Sequence, residues 1–246
     1  MLIYGFHSVA ARVKRAPESI ESLYVDAQRG DARIKDLLKL AQDAGIKPHF
    51  VDSPRLDRLC PNKRHQGVVA VAESVIAAVD LDDLLDALEA PPLLLLLDGV
   101  TDPRNLGACL RVADGAGAHA VVAPKDHACG LTEVAIQTAS GAAETVPYVM
   151  VTNLARTMED LRDRGIWLVG TVDGASRSLY EEKLPASIAW VLGAEGKGLR
   201  RLTRDRCDSL VRIPMAGQVA SLNVSVAAGV VLYETVRQTR TARGPD

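Results

Sequence analysis

Three short segments concentrate the residues whose types could do chemistry. The first is Thr101-Asp102-Pro103-Arg104-Asn105-Leu106-Gly107-Ala108-Cys109-Leu110-Arg111. Asn105 is placed to cap a helix, and Gly107 and Arg111, four residues apart, share one face of it. Taken locally, this is a capped helix with a solvated arginine and a packing glycine. The second segment is Gly193-Ala194-Glu195-Gly196-Lys197-Gly198. Three glycines after an apolar run point to close backbone approach to a ligand. The spacing is not that of a P-loop, because Gly198 stands where Ser or Thr would hold magnesium, and it is not G-x-G-x-x-G. ATPase and dehydrogenase readings therefore lose their main support. Arg200, Arg201, Arg204 and Arg206 follow and, with Lys197, form a basic cluster. Such a cluster is either a solvated helix face or a set of phosphate contacts. The third segment is Ile213-Pro214-Met215-Ala216-Gly217-Gln218-Val219-Ala220-Ser221-Leu222-Asn223-Val224-Ser225-Val226-Ala227. Ser221 can cap the last helix, with Asn223 in its first turn.

Each segment alone is compatible with ordinary capping and packing. Their shared placement is more informative, because each follows a run that reads as a strand. Short apolar runs at 93–100, 118–124, 146–151, 166–172, 188–192 and 210–214 have few polar alternations, as expected of a parallel sheet covered on both faces. Helical stretches lie near 106–114, 131–140, 153–164 and 199–206, and a long one runs from about 221 to 240. This is an open, doubly wound α/β layout. Such sheets bind ligands beyond the carboxyl ends of their strands, so the three loops should converge at one edge. Upstream, residues 7–75 alternate helix (8–15, 31–44) with strand (20–26, 49–52, 67–72), with Ser53 capping a helical turn before Pro54. We expect a small N-terminal α/β domain over 1–75, an acidic linker over 76–92 ending at Pro91-Pro92, and a larger domain over 93–246.

Charge follows the same division. The chain of 246 residues has a formal net charge of −2. Residues 1–75 hold twelve Lys and Arg against nine Asp and Glu, residues 76–98 hold six acids and no base, and residues 99–246 hold seventeen against sixteen. Both larger segments are thus mildly basic, which permits a nucleic-acid partner without demanding one. Cys60, Cys109, Cys129 and Cys207 are too far apart for a zinc or redox pair, and four reduced thiols are expected. The longest apolar run is 93–97, far short of the roughly 20 residues that span a bilayer, and the first fifteen residues lack the pattern of a signal peptide. We therefore expect a cytoplasmic protein without a membrane contact.

The segments N-L-G-A-C-L-R at 105–111, G-A-E-G-K-G at 193–198 and I-P-M-A-G-Q-V-A-S-L-N-V-S-V-A at 213–227 resemble the three motifs of the SpoU/TrmH-type RNA ribose methyltransferases of the SPOUT superfamily. Gly5-Phe6-His7-Ser8-Val9 and His65-Gln66-Gly67-Val68-Val69-Ala70 resemble the N-terminal RNA-binding domain of the group that modifies a guanosine of bacterial large-subunit ribosomal RNA. The resemblance covers nearly the whole chain. Ala220, Thr132 and Gln137 depart from the group, which often has Ser, Asn and a basic residue there.

The resemblance implies a C-terminal SPOUT domain with a mostly parallel sheet and a deep trefoil knot, and a homodimer that completes each site. It implies S-adenosylmethionine as cofactor, held by Gly193, Ile213, Leu222, Thr171, Gly170 and Met215, with no metal. It implies Arg111 as the residue acting on the ribose 2′-hydroxyl, with Asn105, Glu195, Ser221 and Asn223 around it. Lys197, Arg200, Arg201 and His65 are the expected RNA contacts. A guanidinium offers only donors and keeps its charge at neutral pH, and neutralising one would cost on the order of 7 kcal/mol. An electrostatic role for Arg111, helped by an RNA phosphate, is therefore preferred to direct base action. A transfer-RNA ribose methylase and a catalytically inactive RNA-binding assembly factor are the alternatives.

Overall fold

Leu93 to Leu97 are five consecutive leucines, and they become a strand buried at every position. In the computed structural model, which describes residues 2–61, 65–73 and 79–243, the chain divides into two compact units. One comprises Met1–Ala78 with Ile136–Thr145, the other Val79–Ala135 with Val146–Asp246.

The larger unit is built on a sheet of β5 (Leu93–Asp98), β6 (Ala120–Pro124), β7 (Tyr148–Val151), β8 (Trp167–Thr171), β9 (Arg177–Ser178), β10 (Ile188–Gly193) and β11 (Ser209–Arg212). Their order is β7-β6-β5-β10-β8-β11-β9, and every pairing is parallel. All six residues of β5 are buried, which is why its sequence does not alternate: a parallel strand in the middle of a sheet has two covered faces. The helices of this unit are α4 (Leu81–Asp86), α5 (Pro103–Ala116), α7 (Leu154–Asp163), α8 (Arg201–Asp205) and α9 (Val224–Arg243), and α6 (Glu133–Ala139) lies where the chain passes between the units. One core layer joins Leu94, Leu96, Val122, Leu154, Met158, Leu161, Leu168 and Val191. Trp190 is fully buried and donates its indole N–H to Thr235 Oγ1 on α9 at 2.8 Å.

Three helix caps differ from the expected ones, and the helices expected to start at 8, 131 and 199 start at Phe6, Glu133 and Arg201. Asp102, not Asn105, caps α5, accepting from Arg104 N at 2.7 Å. Pro103 then takes the first helical position, where its missing N–H is harmless. Asn223, not Ser221, stands before α9, its Oδ1 accepting from Ser225 N at 2.9 Å. Asp52, not Ser53, caps α3 (Ser53–Leu59). In each case another short polar side chain near the boundary has the better reach to a free N–H.

The smaller unit has a mixed sheet of β1 (Leu2–Tyr4), β2 (Ile20–Asp26), β3 (Pro48–Val51) and β4 (Val68–Ala72) in the order β1-β4-β2-β3. Strand β1 was not expected from the sequence. It pairs antiparallel with β4, Ile3 opposite Ala70. Helices α1 (Phe6–Arg15) and α2 (Ala32–Asp43) bury Val9, Val13, Ile34, Leu37 and Ala41 with Leu23, Val25 and Ala70. Residues 136–145 complete this unit through a buried ion pair. Arg12 is fully buried, and its Nε and Nη2 donate to the Glu144 carboxylate at 2.7 and 2.8 Å, while Nη1 reaches the Glu73 carbonyl at 2.8 Å. Two charges out of water persist only with such hydrogen-bonded compensation.

Candidate active site

The carboxyl ends of β5 and β10 lie side by side, with Asp98 opposite Gly193. From there the chain diverges, through α5 to β6 on one side and through α8 to β11 on the other. A parallel sheet that parts in this way opens a crevice past its strand ends.

Asp98 shapes that crevice. Its side chain is fully buried; Oδ2 accepts from Arg200 N at 2.9 Å and Oδ1 from Arg200 Nε at 2.6 Å. Its carbonyl accepts from Ala194 N at 3.0 Å, and Ala194 O in turn accepts from Gly198 N at 2.9 Å. The loop after β10 therefore folds back on itself and passes directly over Gly193. A Cβ at Gly193 would stand 2.1 Å from the Gly198 carbonyl carbon, so only glycine fits.

Asn105, Glu195 and Asn223, one from each expected loop, meet at this point. Asn105 Nδ2 donates to Glu195 Oε1 at 3.2 Å, and Asn223 Nδ2 donates to Asn105 Oδ1 at 2.9 Å and also to Glu195 Oε1. Val224 N donates to the same Glu195 oxygen at 3.3 Å, which sets the carboxylate at the amino end of α9, where negative charge is favoured. Glu195 Oε2 takes no hydrogen bond among the described residues.

Two cavities flank this loop. The first, about 300 Å³, is lined by Thr171, Gly193, Ile213, Met215, Ser221 and Leu222. The second, about 400 Å³, is lined by Asp98, Thr101, Asp102, Asn105, His127 and Arg200. Ala194, Glu195, Lys197, Gly198 and Val224 border both. Of the expected cofactor residues, Gly193, Ile213, Leu222, Thr171 and Met215 thus share one cavity. Gly170 does not line it. A Cβ on Gly170 would lie 2.8 Å from Cys207 Sγ and 2.9 Å from side-chain carbons of Leu199 and Leu210, so this glycine serves packing.

The expected RNA contacts separate as well. Lys197 is exposed at both cavities. Arg200 is committed to Asp98, and Arg201 is exposed with Asp205 at 3.7 Å. In the smaller unit His65 has both ring nitrogens engaged, Nδ1 accepting from Gly67 N at 3.0 Å and Nε2 lying 3.1 Å from Asp57 Oδ1. Arg111 is exposed, lines neither cavity, and makes no hydrogen bond or ion pair among the described residues. Asp98, His127 and Asp173 went unnoticed in the sequence. Asp98 carried a signal, a lone acid closing a run of five leucines.

The Cys109 and Cys207 thiols are held protonated. Burial, with Glu195 as a second cause, pushes Cys109 up to about 12, and burial likewise pushes Cys207 up to about 12. Among the described residues no group of three or more His, Cys, Asp and Glu could hold a metal ion, and no helix is long and apolar enough to cross a membrane.

Comparison with known proteins agrees with this geometry. Residues 92–233 match the SpoU rRNA Methylase family, and residues 2–76 match the family described as RNA 2′-O ribose methyltransferase substrate binding. The chain is 57% identical over 237 residues to the 23S rRNA (guanosine-2′-O-)-methyltransferase RlmB of Ralstonia nicotianae, covering 96% of this chain and 95% of that one. It is 58% identical over 237 residues to the Bordetella pertussis protein of the same name, covering 96% and 97%. Among solved structures, the SpoU methyltransferase AviRb from Streptomyces viridochromogenes in complex with AdoMet superposes with a TM-score of 0.78 at 29% identity, covering 99% of this chain and 91% of that one. With its three loops gathered at one sheet edge and a family match across more than half its length, the chain belongs to the SpoU rRNA methylase family.

Proposed function

We propose that this chain transfers a methyl group from S-adenosylmethionine to the ribose 2′-hydroxyl of a guanosine in 23S rRNA. The observation that carries the reading is the junction of Asn105, Glu195 and Asn223 on a loop with a cavity on either side. Relatives more than half identical over nearly the full chain carry that activity in their names.

The first cavity fits the cofactor. It offers the apolar walls of Ile213, Met215 and Leu222 to an adenosyl group, and the hydroxyls of Thr171 and Ser221 and the carboxylate of Asp173 to its polar ends. S-adenosylmethionine supplies a methyl already activated on a sulfonium sulfur. The second cavity, across the shared wall, would receive the ribose, so the two ligands would lie side by side and the protein's contribution would be alignment. Asn105 and Asn223 hold Glu195 through Oε1 and leave Oε2 to orient the hydroxyl. Arg111 supplies positive charge to oxyanion character on the 2′-oxygen, and the hydroxyl proton would leave late, to water, as the methyl passes to the oxygen and S-adenosylhomocysteine is released.

Arg111 lines neither cavity of its own chain, which supports a homodimer in which a second copy completes each site. Val226 and Tyr233 of α9, seven residues apart and so on one helix face, are 51% and 52% exposed and would be covered there. The loop that passes over Gly193, the packing of α9 on α5 and the strand order support the family's trefoil knot. Residues 2–76 would bind RNA, and the cell compartment is the cytoplasm, where 23S rRNA is made.

The test is incubation with labelled S-adenosylmethionine and, separately, 23S rRNA, 16S rRNA and total transfer RNA, followed by nucleoside digestion. Label in 2′-O-methylguanosine from 23S rRNA alone is expected. Label confined to transfer RNA, or none with cofactor bound, would overturn the assignment in favour of its alternatives.

A further inference from the structure

The smaller unit holds a cavity of about 320 Å³ lined by Phe6, Arg29, Arg33, Ile34 and Gln66. Gln66, one of its lining residues, sits in a strained turn. Gln66 has φ +53 and Gly67 φ +78, two successive left-handed residues, and that region is uncommon for a residue bearing a side chain. The turn is held by His65 and Arg29. His65 Nδ1 accepts from Gly67 N, and His65 Nε2 meets Asp57. Arg29 lies across Gly67, where a Cβ would stand 2.5 Å from its Cδ, and it donates to the Gln66 carbonyl and, at 2.9 Å, to Asp31.

The turn fixes where the Gln66 side chain goes. Gln66 Oε1 accepts from the backbone N–H of Phe6 at 3.3 Å, the first residue of α1. Its Nε2 hydrogens take no acceptor among the described residues. Arg29 is committed to the turn, whereas Arg33 is exposed and has no hydrogen bond or ion pair among the described residues. The half-buried Phe6 ring, edge-on to His7 at 5.6 Å, supplies an aromatic wall. One aromatic wall, one uncommitted guanidinium and one pair of amide donors make a set that matches a single nucleotide.

We propose that this cavity takes one unpaired nucleotide of the RNA substrate, its base against Phe6, an acceptor on the base edge at Gln66 Nε2, and its phosphate on Arg33. The inference rests on the functional reading above and adds a site at which the smaller unit selects single-stranded RNA. A base within a duplex has no free face to stack, whereas a splayed base does.

The experiment uses the full chain and unmodified 23S rRNA transcript. RNA affinity is measured by filter binding over a series of salt concentrations, and S-adenosylmethionine affinity by calorimetry. Arg33→Glu should weaken RNA binding about tenfold or more and flatten the salt slope by about 0.7, the value for one contact to a single-stranded phosphate. Phe6→Leu keeps the apolar contact with the core and removes the stacking face, so it should weaken binding about fivefold or more with the slope unchanged. S-adenosylmethionine should bind both variants as it binds the wild type. Wild-type RNA affinity in both variants would overturn the proposal, and so would a flattened slope for Arg33→Glu with no effect of Phe6→Leu, which means a phosphate contact without a base. Failure of the functional reading looks different: wild type would bind RNA and leave every ribose unmethylated.

Discussion

Asp98→Ala tests how the glycine-rich loop is held. The substitution removes the acceptor of the Arg200 backbone N–H and of its Nε, at 2.9 and 2.6 Å. The bond from the backbone N–H to a buried carboxylate is charge-assisted, worth about 1.5–3 kcal/mol. The guanidinium side is discounted, since Arg200 is 49% exposed and water replaces much of what it loses, leaving at most about 1 kcal/mol. The total is about 2–4 kcal/mol, or a fall in Tm of roughly 5–15 °C for a chain of this size. Because Ala194 and Gly198 of that loop border both cavities, the loss should also reach the cofactor. If ordering the loop consumes about 1.4 kcal/mol of it on binding, S-adenosylmethionine affinity falls about tenfold. Asp98→Asn keeps one acceptor and should lose about half as much. The assays are thermal melting and calorimetry. A Tm within about 1 °C of wild type together with an affinity within about twofold would refute the account of the loop.

Other expectations follow from single contacts. Arg200→Ala should lower Tm without changing the salt slope of RNA binding, because its charge is spent on Asp98; a slope reduced by about 0.7 would return it to the RNA surface. Arg111→Ala should remove nearly all methylation in single-turnover assays while S-adenosylmethionine affinity stays unchanged, and Arg111→Lys should keep part of the activity, since a cation survives without the fork; higher activity at lower pH in the lysine variant would point to base action instead. Glu144→Leu should cost about 3–5 kcal/mol by leaving the buried Arg12 without its carboxylate, and Arg12→Met with Glu144→Leu should recover most of it; equal urea midpoints for the single and double variants would contradict the pairing. The raised thiols of Cys109 and Cys207 keep their protons in the native state where the unfolded chain releases them. Stability should therefore be flat below the ordinary thiol range and fall as pH rises from there toward 12, by up to about 1.4 kcal/mol per pH unit per thiol. Urea melts of wild type and Cys109→Ala should show the shallower alkaline loss in the variant, and identical slopes would contradict the burial of that thiol.

Strand positions were legible wherever burial on both faces wrote an uninterrupted apolar run, as at Leu93–Asp98 and Ile188–Gly193. The meeting of Asn105, Glu195 and Asn223 followed from the rule that loops after parallel strands share an edge. What the sequence concealed was competition among neighbours. Asp102 and Asn105 are both good caps three residues apart, and only Pro103 between them favours the first. Arg200 reads as one more cation in a cluster of five, and nothing local announces that a carboxylate about a hundred residues earlier holds it. Gly170 and Gly193 look equally suited to a ligand, yet one packs against Cys207 and the other lies under its own loop. Strands β1 and β9 are three and two residues long, too short for any periodicity. Residues 136–145 join the smaller unit through the partner of Arg12, a contact spanning 132 positions that no local pattern encodes.

The central claim is ribose methylation of a guanosine in 23S rRNA by this chain. The most direct measurement is ribose-methylation mapping across 23S rRNA from cells with and without the gene, with a third strain carrying Arg111→Ala. The account predicts a single guanosine methylated in the wild type, unmethylated in the deletion, and unmethylated with Arg111→Ala. An identical methylation map in all three strains would contradict it.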